Sequence, residues 1–202
     1  MYKKQTSILI LLFFICSITN SQNEHKEYYE SGELERVYND GYKIFETISY
    51  YRNGKIKDNG EIKKRFSLFA PNNLAYDKHG YWRFYDENTV LRQAGYFLDD
   101  VQTGLWKMYY ENGKLQQSGE FIGGKQSGEW KVFYINEKLS STIIFEDGKL
   151  MNLTELYDMN GNSMDISTLK NGNGFIKHYN TDGKLFQLTV KDGVVIQNEP
   201  VD

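Results

Sequence analysis

The chain has 202 residues, a formal net charge of −3 and an aromatic content of 15% in which tyrosine dominates. No basic stripe runs along it, which argues against nucleic acid as the main partner. Its only cysteine is Cys16, so an intrachain disulfide is excluded and stability has to come from packing.

The first segment reads as a secretory leader. Lys3 and Lys4 precede the apolar run Ile8 to Ile15, and Thr19-Asn20-Ser21 supplies small polar residues before a cut after Ser21. The apolar stretch of about 11 residues is short of the ~20 that span a bilayer. Lipidation at Cys16 would need a small residue before it, and Ile15 stands there. Cleavage is expected to leave residues 22–202 with no transmembrane segment and no thiol. It removes two lysines and no acid, taking the charge from −3 to −5. The expected location is the periplasm, the cell surface or the medium.

From Gln22 onward the chain is repetitive. Trp82, Trp106 and Trp130 are 24 residues apart, each two residues after a glycine (Gly80, Gly104, Gly128). Asn88, Asn112 and Asn136 follow in one column, Leu91, Leu115 and Leu139 in a second, and Phe97, Phe121 and Phe145 in a third. Weaker copies surround Tyr28-Tyr29, Tyr50-Tyr51, Tyr157-Asp158 and Tyr179-Asn180, giving about seven units. Asn53-Gly54, Asn112-Gly113 and Asp182-Gly183, each between apolar runs, predict β-hairpins with two-residue type I′ turns. Asp147-Gly148 and Gly123-Gly124 recur as a second turn between units. The fold class is therefore all-β: tandem hairpins forming an extended, twisted antiparallel sheet.

The turn sets a register. An Asn112-Gly113 loop places Tyr110 opposite Leu115, Trp106 opposite Gly119 and Gly104 opposite Phe121; the preceding unit sets Trp82 against Gly95 and Gly80 against Phe97. Each indole is expected to lie across a glycine of the neighbouring strand, which leaves the room that the ring fills. Alternation then buries the Trp side. The opposite side carries a ribbon of cations and aromatics, Arg83/Tyr85, Lys107/Tyr109 and Lys131/Phe133, which reads either as an ordinary solvated face or as a site suited to a protein surface, a glycan or a lipid headgroup. Between residues 63 and 79 the rhythm breaks, and Lys63-Lys64-Arg65-Phe66-Ser67-Leu68-Phe69-Ala70-Pro71-Asn72-Asn73 fits no column. It reads as a longer loop, an extended hairpin or a simple insertion.

The pattern Gly-x-Trp-x-x-Tyr-Tyr-x-Asn-Gly-Lys-Leu, with Gly-Glu-Phe and Gly-Gly-Lys beyond it, is carried by Gly104 to Lys125 and less fully by Gly80 to Asp100 and Gly128 to Lys149. It resembles the bacterial variant of the MORN repeat. That resemblance implies an extended sheet of stacked hairpins and, in bacterial proteins, an antitoxin-like label; eukaryotic relatives are associated with membrane attachment and scaffolding. It implies no catalytic residue.

Other chemistry finds little support. Gly119 to Lys125 matches a phosphate-binding loop as far as the lysine, but Gln126 stands in place of Ser/Thr and no helix pattern follows. His25, His79 and His178 lack ligand spacing, and His178 reads as a sheet-surface residue. Asn180-Thr181-Asp182-Gly183 reads as a turn, since a calcium loop would need an acid where Thr189 stands. Asn152-Leu153-Thr154 is a formal glycosylation sequon. No cofactor, metal site or catalytic residue is expected. The leading expectation is a non-catalytic exported interaction or scaffold protein. An antitoxin- or immunity-like toxin binder is the first alternative, and a glycan-binding module or envelope enzyme the second.

Overall fold

The computed structural model describes residues 24–39, 43–70, 74–164, 167–180 and 182–201. The leader assigned to residues 1–21 lies outside them. All regular elements among the described residues are strands, as the sequence predicts. Eleven form one open antiparallel sheet in chain order: β1 (Glu24–Tyr28), β2 (Leu34–Asn39), β3 (Ile44–Tyr50), β4 (Ile56–Phe66), β5 (Leu74–Tyr85), β6 (Leu91–Leu98), β7 (Val101–Tyr109), β8 (Leu115–Ile122), β9 (Lys125–Phe133), β10 (Leu139–Glu146) and β11 (Lys149–Leu156). A second sheet holds β12 (Gly174–Tyr179), β13 (Leu185–Lys191) and β14 (Val194–Pro200).

Two kinds of turn alternate, and their assignment differs from the expected one. Turns beginning at Tyr29, Tyr51, Asp86, Tyr110, Tyr134, Asp158 and Asn180 share one bonding pattern. In the Tyr110 turn, the Tyr110 amide donates to Lys114 O at 2.8 Å and the Gly113 amide to Tyr110 O at 2.9 Å. Only the fourth residue has positive φ, Gly113 at +80°. This is a type I turn closed by a glycine bulge, with a three-residue loop, and not the type I′ turn expected at Asn112-Gly113. Asn112 stays right-handed, and its Oδ1 accepts the Lys114 amide. Consequently Tyr109, and not Tyr110, pairs with Leu115. A further bulge between Met108 and Tyr109 restores the expected pairs Trp106↔Gly119 and Gly104↔Phe121. The type I′ geometry belongs to the turns between units: Asp99-Asp100, Gly123-Gly124, Asp147-Gly148 and Asn171-Gly172 all have two consecutive positive φ values and stand 24 residues apart.

The Gly-x-Trp spacing has a different cause from the one the sequence suggests. Ala94 pairs with Lys107 and Tyr96 with Thr103, so Gly95 alone faces Gly104, Leu105 and Trp106. Gly60 faces Gly80, Tyr81 and Trp82 in the same way, and Gly119 faces Gly128, Glu129 and Trp130. Gly80, Gly104 and Gly128 sit at φ between +60° and +66°, a bulge that a Cβ would strain. The bulge swings each indole back over the preceding hairpin. Trp82 covers Gly60, Trp106 covers Gly95 and Trp130 covers Gly119. The Cα pairs Trp82↔Gly95 and Trp106↔Gly119 exist as expected, but the rings lean to the other flank.

The Trp side is the buried one: Trp82, Trp106 and Trp130 are 3%, 1% and 0% exposed. Phe97 and Phe121 stand edge-on between them and Phe145 follows Trp130, with centroids 5.1 Å apart for Phe97–Trp106 and 5.2 Å for Phe121–Trp130. The edge-to-face row runs unbroken from Trp82 to Phe145. Neighbouring units are also tied at both ends of the strands. The amides of Asp100, Gly124 and Gly148 donate to Lys78, Gln102 and Gln126 O. On the other side the hydroxyls of Tyr29, Tyr51, Tyr110 and Tyr134 donate to Tyr50, Tyr85, Phe133 and Tyr157 O. Asp86 occupies that tyrosine column in the middle unit, and Arg92, held by Asp86, donates to Tyr109 O instead.

Among the described residues the main sheet stops after β11. The Asp158 turn is followed by a single bridge, Tyr157↔Ser163, with Ser163 standing where other units have Leu115 and Leu139. The free edge of β11 is met by Gly193 O, which accepts the Leu150 amide, and by Gly172, whose amide donates to Met151 O. Leu150 packs with Leu169, Ile176 and Val190, joining the two sheets through a shared core.

Candidate interaction surface

The face opposite the tryptophans is built by the same registers. Asn59, Arg83, Ala94, Lys107, Ser118, Lys131 and Thr142 pair successively across β4 to β10. Arg83, Lys107 and Lys131 therefore occupy one row. Two strand spacings, about 9.6 Å, separate one cation from the next, and a small residue, Ala94 or Ser118, lies between. The next row holds the remaining expected residues: Tyr85 pairs with Leu91, Tyr109 with Leu115 and Phe133 with Leu139. All six ribbon residues thus lie on one face as a cation row beside an aromatic–leucine row.

Their environments differ. The Arg83 guanidinium carbon lies 4.8 Å from the centre of the Tyr81 ring, which itself lies 5.0 Å from Tyr96. Lys107 and Lys131 are exposed and form no ion pair among the described residues. Burial pushes the Tyr85 phenol upward, with Arg83 opposing, and burial followed by the nearby Tyr81 does the same to Tyr109. Both phenols are neutral donors at ordinary pH. Leu105, Ser118, Glu120, Ser127, Glu129 and Lys131 line a shallow depression beside the cation row. Sequence reasoning missed Tyr81, Tyr96 and this acidic flank, although the signal was there: Tyr81↔Tyr96 continues the ladder of Arg83↔Ala94, and Glu129 stands two residues before Lys131. The structural positions Gly80, Gly95, Gly104, Gly119 and Gly128 serve the opposite face, as bulges or as the floors beneath the rings.

The other motifs resolve into structure. Gly119 to Lys125 is the end of β8 and a type I′ turn, with no helix after it. Asn180 Oδ1 is engaged by the Asp182 and Lys184 amides within its turn. Asn152 Oδ1 accepts the Asn171 amide. His178 is half-buried on β12, its ring 6.0 Å from Phe186, with Nε2 buried and without a hydrogen-bond partner; it is less a surface residue than the sequence suggests. Among the described residues no group of three His, Cys, Asp or Glu is placed to hold a metal ion. No described helix is long and apolar enough to cross a membrane.

Residues 102–122, the β7–β8 hairpin, match the MORN repeat variant. A search of curated proteins finds no match to the chain. The fold and this hairpin define a β-hairpin repeat protein that carries a MORN repeat variant. Such repeats are non-catalytic modules that generally bind proteins or membranes.

Proposed function

We propose that the protein is an exported, non-catalytic scaffold whose cation–aromatic face docks another protein at the periplasm or cell surface. The observation that carries the reading is the row Arg83–Lys107–Lys131 alongside Tyr85, Tyr109 and Phe133. Cations on strands at a regular spacing next to half-buried rings suit an acidic protein surface with apolar anchors. Tyrosine and arginine are the residues that most often dominate such contacts. The rigid sheet loses little conformational freedom on docking. Removal of the leader at Ser21–Gln22 would deliver this face to the envelope.

A photo-crosslinker at position 107 in the source cell tests the reading. One dominant crosslinked protein is expected, lost in Lys131→Glu and absent when the probe stands at position 141 on the Trp side. Fractionation and N-terminal sequencing should find the chain beginning at Gln22 in the envelope or medium. A cytoplasmic chain starting at Met1, or crosslinking indifferent to Lys131→Glu, would overturn it.

A further inference from the structure

The β4–β5 hairpin leaves the plan of the repeat. Its strands are 11 and 12 residues long, against 8 or 9 for β6 to β11. Pairing of β4 with β3 ends at Lys63, and that of β5 with β6 at Gly80. The pairs Arg65↔Ala75 and Phe66↔Leu74 have no further strand beside them among the described residues. Two such pairs project about 7 Å at 3.3 Å per residue, before the turn itself is added.

What stands on this projection is apolar and bare. Phe66 is 67% exposed, Leu68 74% and Phe69 98%. No other stretch of four described residues exposes three large apolar side chains to this degree. Residues 66 to 76 contain no charged residue, whereas Lys63, Lys64 and Arg65 stand immediately behind them. Lys63 is held by Asp99 at 2.8 Å and Arg65 by Asp77 at 2.6 Å, so the base of the projection is stiffened by ion pairs. Tyr76 anchors the hairpin from below, its ring 5.8 Å from Phe45.

We propose that this hairpin is a membrane wedge: Phe66, Leu68 and Phe69 enter the acyl region of a bilayer while Lys63, Lys64 and Arg65 remain at the headgroup level. Exposed apolar patches on a soluble fold mark interaction sites. An uncharged apolar segment on a projection of about 7 Å matches the 5–10 Å depth at which interfacial elements bury their apolar residues. Of the cations directly behind it, Lys63 and Arg65 are held by Asp99 and Asp77, so anionic headgroups would compete with those carboxylates for them. The inference uses no residue of the cation–aromatic face and stands or falls separately from it.

The test uses the full chain carrying Phe69→Trp, mixed with phosphatidylcholine–phosphatidylglycerol vesicles at about three to one, with and without brominated acyl chains. The native indoles are buried, so the difference from the parent chain reports position 69. A blue shift on vesicle addition and at least twofold quenching by the brominated chains are expected. Leu68→Asp in the same background should abolish both, with an unchanged far-UV spectrum. Vesicle-bound protein without quenching would mean attachment through another segment and would overturn the wedge. So would the absence of binding, or quenching that survives Leu68→Asp.

Discussion

Gly60→Ala tests the glycine–indole joint on which every central unit depends. A Cβ at Gly60 would stand 2.5 Å from Trp82 Cδ2 and 2.6 Å from Cε2 and Cγ, about 1 Å inside ordinary contact. The ring has nowhere to retreat. Its Nε1 donates to Glu61 O at 2.9 Å and His79 O at 3.1 Å, Phe84 stacks at 5.9 Å, and Phe97 meets it edge-on at 6.3 Å. Overpacking of this kind costs about 1–3 kcal/mol, and full expulsion of the ring would approach the ~3–5 kcal/mol of a Trp→Ala truncation. We therefore expect Gly60→Ala to cost about 2–4 kcal/mol in urea titrations followed by circular dichroism, at unchanged m value. The double variant Gly60→Ala/Trp82→Ala supplies the decisive comparison. With the ring gone the added methyl has room, so the pair should cost no more than Trp82→Ala alone, a coupling equal to the whole Gly60→Ala loss, about 2–4 kcal/mol. Additive losses, or a Gly60→Ala cost below about 1 kcal/mol, would refute the joint.

The turns supply a gain: Thr89 and Glu137 both sit at φ +69° where other units place glycine, so Thr89→Gly should raise stability by about 1 kcal/mol in the same titration. Tyr110→Phe removes the 2.6 Å bond to Phe133 O that ties adjacent hairpins and should cost about 1 kcal/mol. The backbone amide of Val90 holds Asp86 below the usual carboxylate range, the Lys63 ammonium does so for Asp99, and Asn162 does so for Asp158. Because these folded values are depressed, their stabilisation is complete above the unfolded value near ~4 and is lost as pH falls through the folded ones. Melting temperature should therefore fall on acidification, and Asp158→Asn should flatten that limb. Lys107→Glu with Lys131→Glu should leave stability within about 0.5 kcal/mol, since both are exposed and unpaired among the described residues; a larger loss would show that the face is structural.

Much of this molecule can be read from a 24-residue period. The spacing of Trp82, Trp106 and Trp130, with Asn-Gly and Asp-Gly between apolar runs, establishes hairpins, their order and the buried side, because side-chain alternation and turn chemistry are local. The ribbon residues were legible for the same reason: two-residue periodicity puts Lys107 and Tyr109 opposite Trp106 whatever the rest of the chain does. Tertiary structure was needed where two local solutions compete. Asn112-Gly113 suits a two-residue or a three-residue loop equally well, and only the ladder beyond it shows that a second bulge returns Trp106 to Gly119. The direction of the indoles was likewise hidden, since Gly104 at positive φ turns the ring toward Gly95 of the preceding hairpin. That choice depends on an unpaired length between strands, which no residue pattern within one unit encodes. The end of the main sheet at β11, and the exposure of Phe66, Leu68 and Phe69 on a hairpin that outruns its neighbours, are relations between units. They follow from which strands find a partner, and that is settled only once all of them are in place.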